Sequence, residues 1–182
     1  GRALELTPDN EPLARYTLLL VRERVLDLQG ERAKQAADLA ELRRLSRAME
    51  EDGPGAARRQ SEVALRRAAY ADAISDYPAS ILAAQEAIHL AKAGQDAGCE
   101  AAGYLQWGRV LFYLGDYTEA HTRLECALDL ARSVQSRQIE ADSLRNLGNV
   151  CLPQGDYALA RSYFEQALHI YREIGARRGE SA

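Results

Sequence analysis

The amino-acid sequence predicts an all-α protein assembled as an array of helix hairpins. Three observations predict it: a residue pattern that returns every 40 positions, Gly-Asp or Ser-Asp steps that divide each period, and a chain dominated by Ala, Leu, Arg and Glu with five prolines in 182 residues. Those four residue types are strong helix formers. No stretch alternates Val, Ile and Thr as a half-buried strand would.

From the N-terminus, residues Pro12–Gln29 and Glu31–Met49 read as two helices broken at Gly30. Leu18, Val21, Val25 and Leu28 form one apolar stripe, and Leu39, Leu42 and Leu45 form the next, at the spacing of a helix face. The acidic Glu50–Gly55, ending in Gly-Pro-Gly, reads as a loop. Residues 1–60 are therefore expected to be a degenerate helix pair plus loop, followed by units at 61–100, 101–140 and 141–180, with 181–182 opening a further, truncated unit. A 40-residue shift lays Ser75-Asp76-Tyr77, Gly115-Asp116-Tyr117 and Gly155-Asp156-Tyr157 on one another. Ala68, Gly108 and Gly148 share a second column, and Ser80, Ala120 and Ala160 a third. Ala87, Ala127 and Ala167 make a fourth, and Ile88, Leu128 and Leu168 a fifth.

Within a unit the helices are set by punctuation. In the second, Glu100–Leu114 is helical, Gly115-Asp116 breaks it, and Thr118–Val134 resumes. Gly takes the left-handed conformation cheaply at a helix end, and the Asp beside it can cap the next helix. Pro78 falls at a helix start, where a missing N–H costs nothing. Small residues in the Gly108 and Ala120 columns fit two helices in close approach. Pro153 is expected to bend the end of its helix outward.

These letters resemble the tetratricopeptide repeat. The second unit reads Tyr104-x-x-Trp107-Gly108-x-x-Leu111, then Ala120-x-x-x-Leu124-x-x-Ala127; the third reads Leu144-x-x-Leu147-Gly148-x-x-Cys151, then Ala160-x-x-x-Phe164-x-x-Ala167. The resemblance covers residues 61–180. The period is 40 rather than the family's 34, and Lys92, Arg132 and Arg172 stand where the family places Pro. Both departures imply longer helices, as in peptide-binding scaffolds and in segments of large bacterial signalling ATPases and transcription regulators. The resemblance implies a right-handed α-solenoid whose first helices line a concave face.

On that implied face the first unit presents Glu62, Leu65, Ala69 and Asp72. The second presents Ala102, Leu105, Arg109 and Phe112, and the third Asp142, Arg145, Asn149 and Leu152. Arg145, Asn146 and Asn149 form the best-placed polar cluster: an amide can pair with a peptide backbone and a guanidinium can hold a carboxylate through two N–H bonds. Alternatively, Arg145 pairs with Asp142 on the helix surface. Leu65, Ala69 and Leu105 stand where a full carboxylate clamp would need polar groups. Phe112 and Leu105 either form a pocket for a partner side chain or fill space beneath a neighbouring helix, and Tyr104, Trp107 and Leu111 read as packing.

Charge and chemistry narrow the function. Twenty-three basic against 27 acidic residues give −4, the wrong sign for a phosphate-neutralising, nucleic-acid-binding chain. The longest apolar runs, such as Tyr16–Val21, are far shorter than the roughly 20 residues of a membrane span, and no signal peptide is evident. Cys99, Cys126 and Cys151 have no metal-site or disulfide spacing, which favours a reducing cytoplasm. His89 and His169 share a column two units apart, and His121 has Glu125 at i+4. No nucleophile–base arrangement, metal set or phosphate-cradling loop is present, so neither catalysis nor a cofactor is expected. Gly1-Arg2 in place of an initiator Met reads as part of a longer protein.

The leading expectation is a module that binds a peptide or helix of another protein, or of its own parent protein, on the concave face. The alternatives are a sensor arm of a larger signalling ATPase or regulator, and self-association through the exposed ends of the array.

Overall fold

A computed structural model describes residues 11–49 and 53–175; the expected further unit at 181–182 and the leading Gly1-Arg2 lie outside them. The described chain runs α1 (Pro12–Gln29), α2 (Arg32–Ala48), α3 (Pro54–Ala73), α4 (Tyr77–Ala93), α5 (Ala97–Tyr113), α6 (Tyr117–Ser133), α7 (Arg137–Cys151) and α8 (Tyr157–Glu173), with no strand among these residues. Each helix packs on the next, making four hairpins in series. The first helices α3, α5 and α7 also touch one another directly, whereas second helices make no comparable contact. The array therefore curls with its first helices together and its second helices splayed outward.

The pacing is finer than the 40-residue period suggests. A left-handed residue recurs every 20 positions, at Ser75, Gln95, Gly115, Gln135, Gly155 and Gly175. Each closes the preceding helix in the same way. Gly115 N–H donates to Phe112 O at 3.1 Å and Asp116 N–H to Leu111 O at 3.0 Å, the paired bonds of a Schellman end. The residue after the left-handed one then caps the next helix. Asp76, Asp96, Asp116 and Asp156 accept from the N–H groups of Ala79, Cys99, Glu119 and Leu159, while Ser136 makes no such bond. Stop and start signals thus occupy two adjacent residues, and the same turn serves within and between hairpins.

The first hairpin keeps the design at a different interval: its left-handed residue is Gly30, 45 positions before Ser75. Two details of the expected organisation change as a result. Pro54 and Gly55 are not loop but the first residues of α3, with Pro at a position that needs no N–H; residues 50–52 of that expected loop are not among those described. The position expected to open a unit, Ser61, lies within α3 and is fully buried. Pro153 does not bend a helix either. It follows the end of α7, which stops at Cys151 and has 15 residues where α5 has 17, because Pro offers no N–H to carry the ladder on.

The core is strung along the joints. Leu111, Leu124, Leu144, Leu147, Val150 and Ile170 are buried in one cluster over α5–α8, and Tyr16, Leu19, Leu39, Leu42, Leu45 and Val63 in another over α1–α3. Close approach within a hairpin depends on the small-residue column. A Cβ on Gly108 would lie 2.7 Å from Leu124 Cγ, and one on Gly148 2.6 Å from a Phe164 ring carbon.

Candidate functional site

The surface shared by α3, α5 and α7 gathers the residues expected to line a groove, and their local bonding sorts them. On α3, Leu65 is half-buried and Ala69 exposed. On α5, Arg109 crosses back to α3: its Nη2 lies 2.5 Å from Asp72 Oδ2 and 2.7 Å from Gln106 Oε1. Gln106 is buried and its Nε2 donates to Ser80 Oγ at 3.2 Å. Arg109 is thus bound into a chain that ties three helices together. Leu105 and Phe112 are half-buried against the α5–α8 core, and Phe112 packs on the rings of Tyr113 and Tyr117, with centroids at 5.6 and 6.0 Å. Their inner sides belong to packing and only their outer edges to the surface.

On α7, Asp142 is a hub. It accepts from the Tyr171 hydroxyl and from Gln138 Nε2 (3.0 Å), and Arg145 Nη2 stands 3.8 Å away. Burial foremost, then the hydrogen bond to Asp142 and its charge, push the Tyr171 phenol up to about 12. Asn146 leaves the expected cluster. It is buried, and its Nδ2 donates to Asp142 O at 2.7 Å one turn back, since its place between Leu144 and Leu147 points that stripe into the core. Asn149, one turn beyond Arg145, is half-buried, and its side chain makes no hydrogen bond among the described residues. Leu152 follows at the exposed end of α7.

The other tempting side chains are accounted for locally. Trp107 lies beneath the Arg123 guanidinium, 4.2 Å from the ring centroid. His121 and His169 each face a glutamate one turn on, Glu125 at 3.4 Å and Glu173 at 3.1 Å, and His89 is exposed. Cys99 and Cys126 are half-buried, Cys151 is buried, and all three are free. Burial raises the Cys99 and Cys151 thiols. No group of three or more metal-ligating side chains occurs among the described residues. No described helix is long and apolar enough to cross a membrane.

Two surfaces lie outside the expected groove; the first belongs to an exposed end of the array, and the second was not expected from the sequence. An apolar hollow of about 300 Å³ at the open side of α8 is lined by Leu152, Tyr157, Phe164 and Leu168 among others. A groove of about 430 Å³ lies between α2 and α4 over α3.

Helical hairpins in series, small residues at the crossings of the later hairpins and a common inner face define a helical-repeat solenoid, similar in fold to tetratricopeptide-repeat arrays. Residues 99–173 match the family model described as tetratricopeptide repeat, so the motif resemblance holds over α5–α8. Solved structures agree in fold. BtubC from P. vanneervenii is 15% identical with a TM-score of 0.75 over 95% of this chain and 69% of that one. RapI in its apo form is 15% identical with a TM-score of 0.76, covering 94% of this chain and 60% of RapI. MamA, also 15% identical, gives 0.52 over 92% of this chain and 96% of its own. The chain thus spans less than two thirds of RapI. No curated protein matches in sequence.

Proposed function

We propose that this chain is a protein-interaction module that receives an extended peptide or a helix across α5 and α7, in a reducing compartment where its three free thiols persist. The observation that supports it best is Asn149: a half-buried amide without an intramolecular hydrogen bond among the described residues, beside an Arg145 whose carboxylate neighbour is 3.8 Å away. Donor and acceptor capacity left open on a partly dry surface favours a ligand that supplies the complement. Leu105, Phe112 and Leu152 offer apolar edges around it, while Arg109 shapes the floor through Asp72. The resemblance to an interaction repeat points the same way.

Peptides selected from a random display library and titrated against the full chain test this reading. Arg145→Ala and Asn149→Ala should each weaken binding about 5- to 10-fold, the range for a lost polar contact. Binding that ignores both would defeat the assignment. A second reading, self-association, is favoured by the open apolar hollow at α8; light scattering that reports a monomer at every concentration would remove it.

A further inference from the structure

The groove between α2 and α4 is an anomaly of side-chain size. Its walls are Ala36, Leu39 and Ala40 of α2 and Ala79 and Ala83 of α4, and its floor is Arg67, Tyr70 and Ala71 of α3 with Ile74 just past its end. The turn positions put the next joint, between α4 and α6 over α5, in register at 45 residues for α2 and 40 for α3 and α4. There Ile81 stands for Ala36, Trp107 for Arg67, Leu111 for Ala71, Glu119 for Ala79 and Arg123 for Ala83. Ile81 and Trp107 pack on the core cluster and Arg123 covers Trp107. These five positions hold larger side chains in the next joint, against two that hold smaller ones, Ala84 for Leu39 and Val110 for Tyr70. In the first joint, alanines and an arginine leave it open.

The opening is also charged against the sign of the whole chain. Arg67 Nη1 lies 2.6 Å from Glu86 Oε2, and Arg47 and Arg43 reach the other oxygen of the same carboxylate at 3.4 and 3.9 Å. Three guanidiniums share one acid. Arg67 foremost, with burial and Arg47, holds Arg43 below the ordinary arginine value, and Glu86 only partly offsets them. Arg43 Nε is buried with no hydrogen-bond partner. Of the other nearby charges, Arg44 is paired with Glu41 at 2.8 Å, and Asp76, at the far mouth, caps α4. A second hollow lined by Ala40, Arg43, Arg44, Arg47 and Ala48 extends the opening along α2.

We infer that this groove is a second docking surface, on the splayed second-helix side, for an acidic segment of a protein partner whose apolar side chains enter between the alanines while its carboxylates meet Arg43, Arg47 and Arg67. Apolar guests gain by leaving water at walls that are already apolar, and a carboxylate relieves the repulsion among crowded guanidiniums. The alanine and Leu39 walls suit side chains rather than a sugar-phosphate strand, and the net charge of −4 works against a polyanion of any length. The surface is separate from the α5–α7 face, so the two stand or fall independently.

The test uses the full chain with methyl-labelled alanines, a labelled peptide of glutamate and leucine, its glutamine–leucine counterpart and a short oligothymidylate. The glutamate peptide should bind saturably, shift the methyl signals of Ala36, Ala40, Ala79 and Ala83, and exceed the glutamine peptide at least ~10-fold in affinity. Arg67→Trp with Ala83→Arg, which installs the filling of the next joint, should abolish these shifts, and so should Arg43→Gln with Arg47→Gln, a variant on helix α2 alone that covers a failure of the first to fold. Asn149→Ala should leave them intact. Equal affinity for both peptides, shifts confined to other alanines, persistence in the filled variant or equally tight oligothymidylate binding would each overturn the proposal.

Discussion

The joint between α2 and α4 and the joint between α4 and α6 share one backbone plan and are filled differently: the first keeps an open groove. In the second, the column of closest approach holds Gly108, and Trp107, Leu111, Leu124 and Arg123 fill the space around it. In the first joint the matching position holds Ala68, small and fully buried; one hairpin earlier, on α1, the same column holds Glu23. Glu23 is buried, accepts from Gln35 Nε2 at 2.7 Å and pairs with Arg66 at 2.6 Å. Asp38, buried at the place of Ala83, pairs with Arg22. The difference teaches that the repeat fixes where helices meet, while the side chains decide whether a meeting point is dry and full or polar and open. Buried ion pairs recover little net stability after desolvation, so the first hairpin, α1 with α2, should be the weakest part of the array.

The largest effect expected of a single change lies in the filled region. Leu124→Ala, at a fully buried position, should cost about 2 to 5 kcal/mol in urea unfolding. A loss under about 1 kcal/mol would mean the joint is not as full as drawn. Gly108→Val comes next. Its Cβ would sit 2.7 Å from Leu124 Cγ and 3.2 Å from Ala120 O, which should cost about 1 to 3 kcal/mol through overpacking; Gly148→Val should cost less, because the half-buried Phe164 ring in its path has room to move. Bulk added to the open joint should act the other way. Arg67→Trp with Ala83→Arg should raise the unfolding free energy by about 1 kcal/mol, as a stacked guanidinium replaces crowded ones. A fall would show that the two joints are not equivalent. The smallest effect concerns the turns: Gln135, held at φ 56°, should yield about 0.5 to 1 kcal/mol when replaced by Gly, and Gly115→Gln should lose a similar amount.

Much of this was legible in the sequence because it is local. Gly115-Asp116-Tyr117 and its two counterparts announce a stop and a start within three residues, and the structure reads them that way. The turns at Gln95 and Gln135 were silent, since a glutamine forced into the left-handed region looks like any other glutamine. The first hairpin was legible as a pair but not in its register, because Glu23, Gln35 and Asp38 replace the small residues that mark the columns elsewhere. Among the candidate site residues, Arg145 and Asn149 were placed on the inner face by the family resemblance, and both are half-buried. The burial of Asn146 and the capture of Arg109 by Asp72 were not legible, as they depend on a one-turn rotation and on a contact between helices. The meeting of Arg43 and Arg67 was equally hidden: it joins two helices across a connection whose length the period does not give.

Native-state hydrogen exchange across the whole chain tests the contrast between the polar first hairpin and the filled α4–α6 joint most directly, because opening free energies are read helix by helix and stacked hairpins lean chiefly on their neighbours. Slowest exchange in α5, α6 and α7, with α1 and α2 opening together at distinctly lower free energy, is the predicted result. Protection that is uniform from α1 to α7, or greatest in α1 and α2, would contradict it.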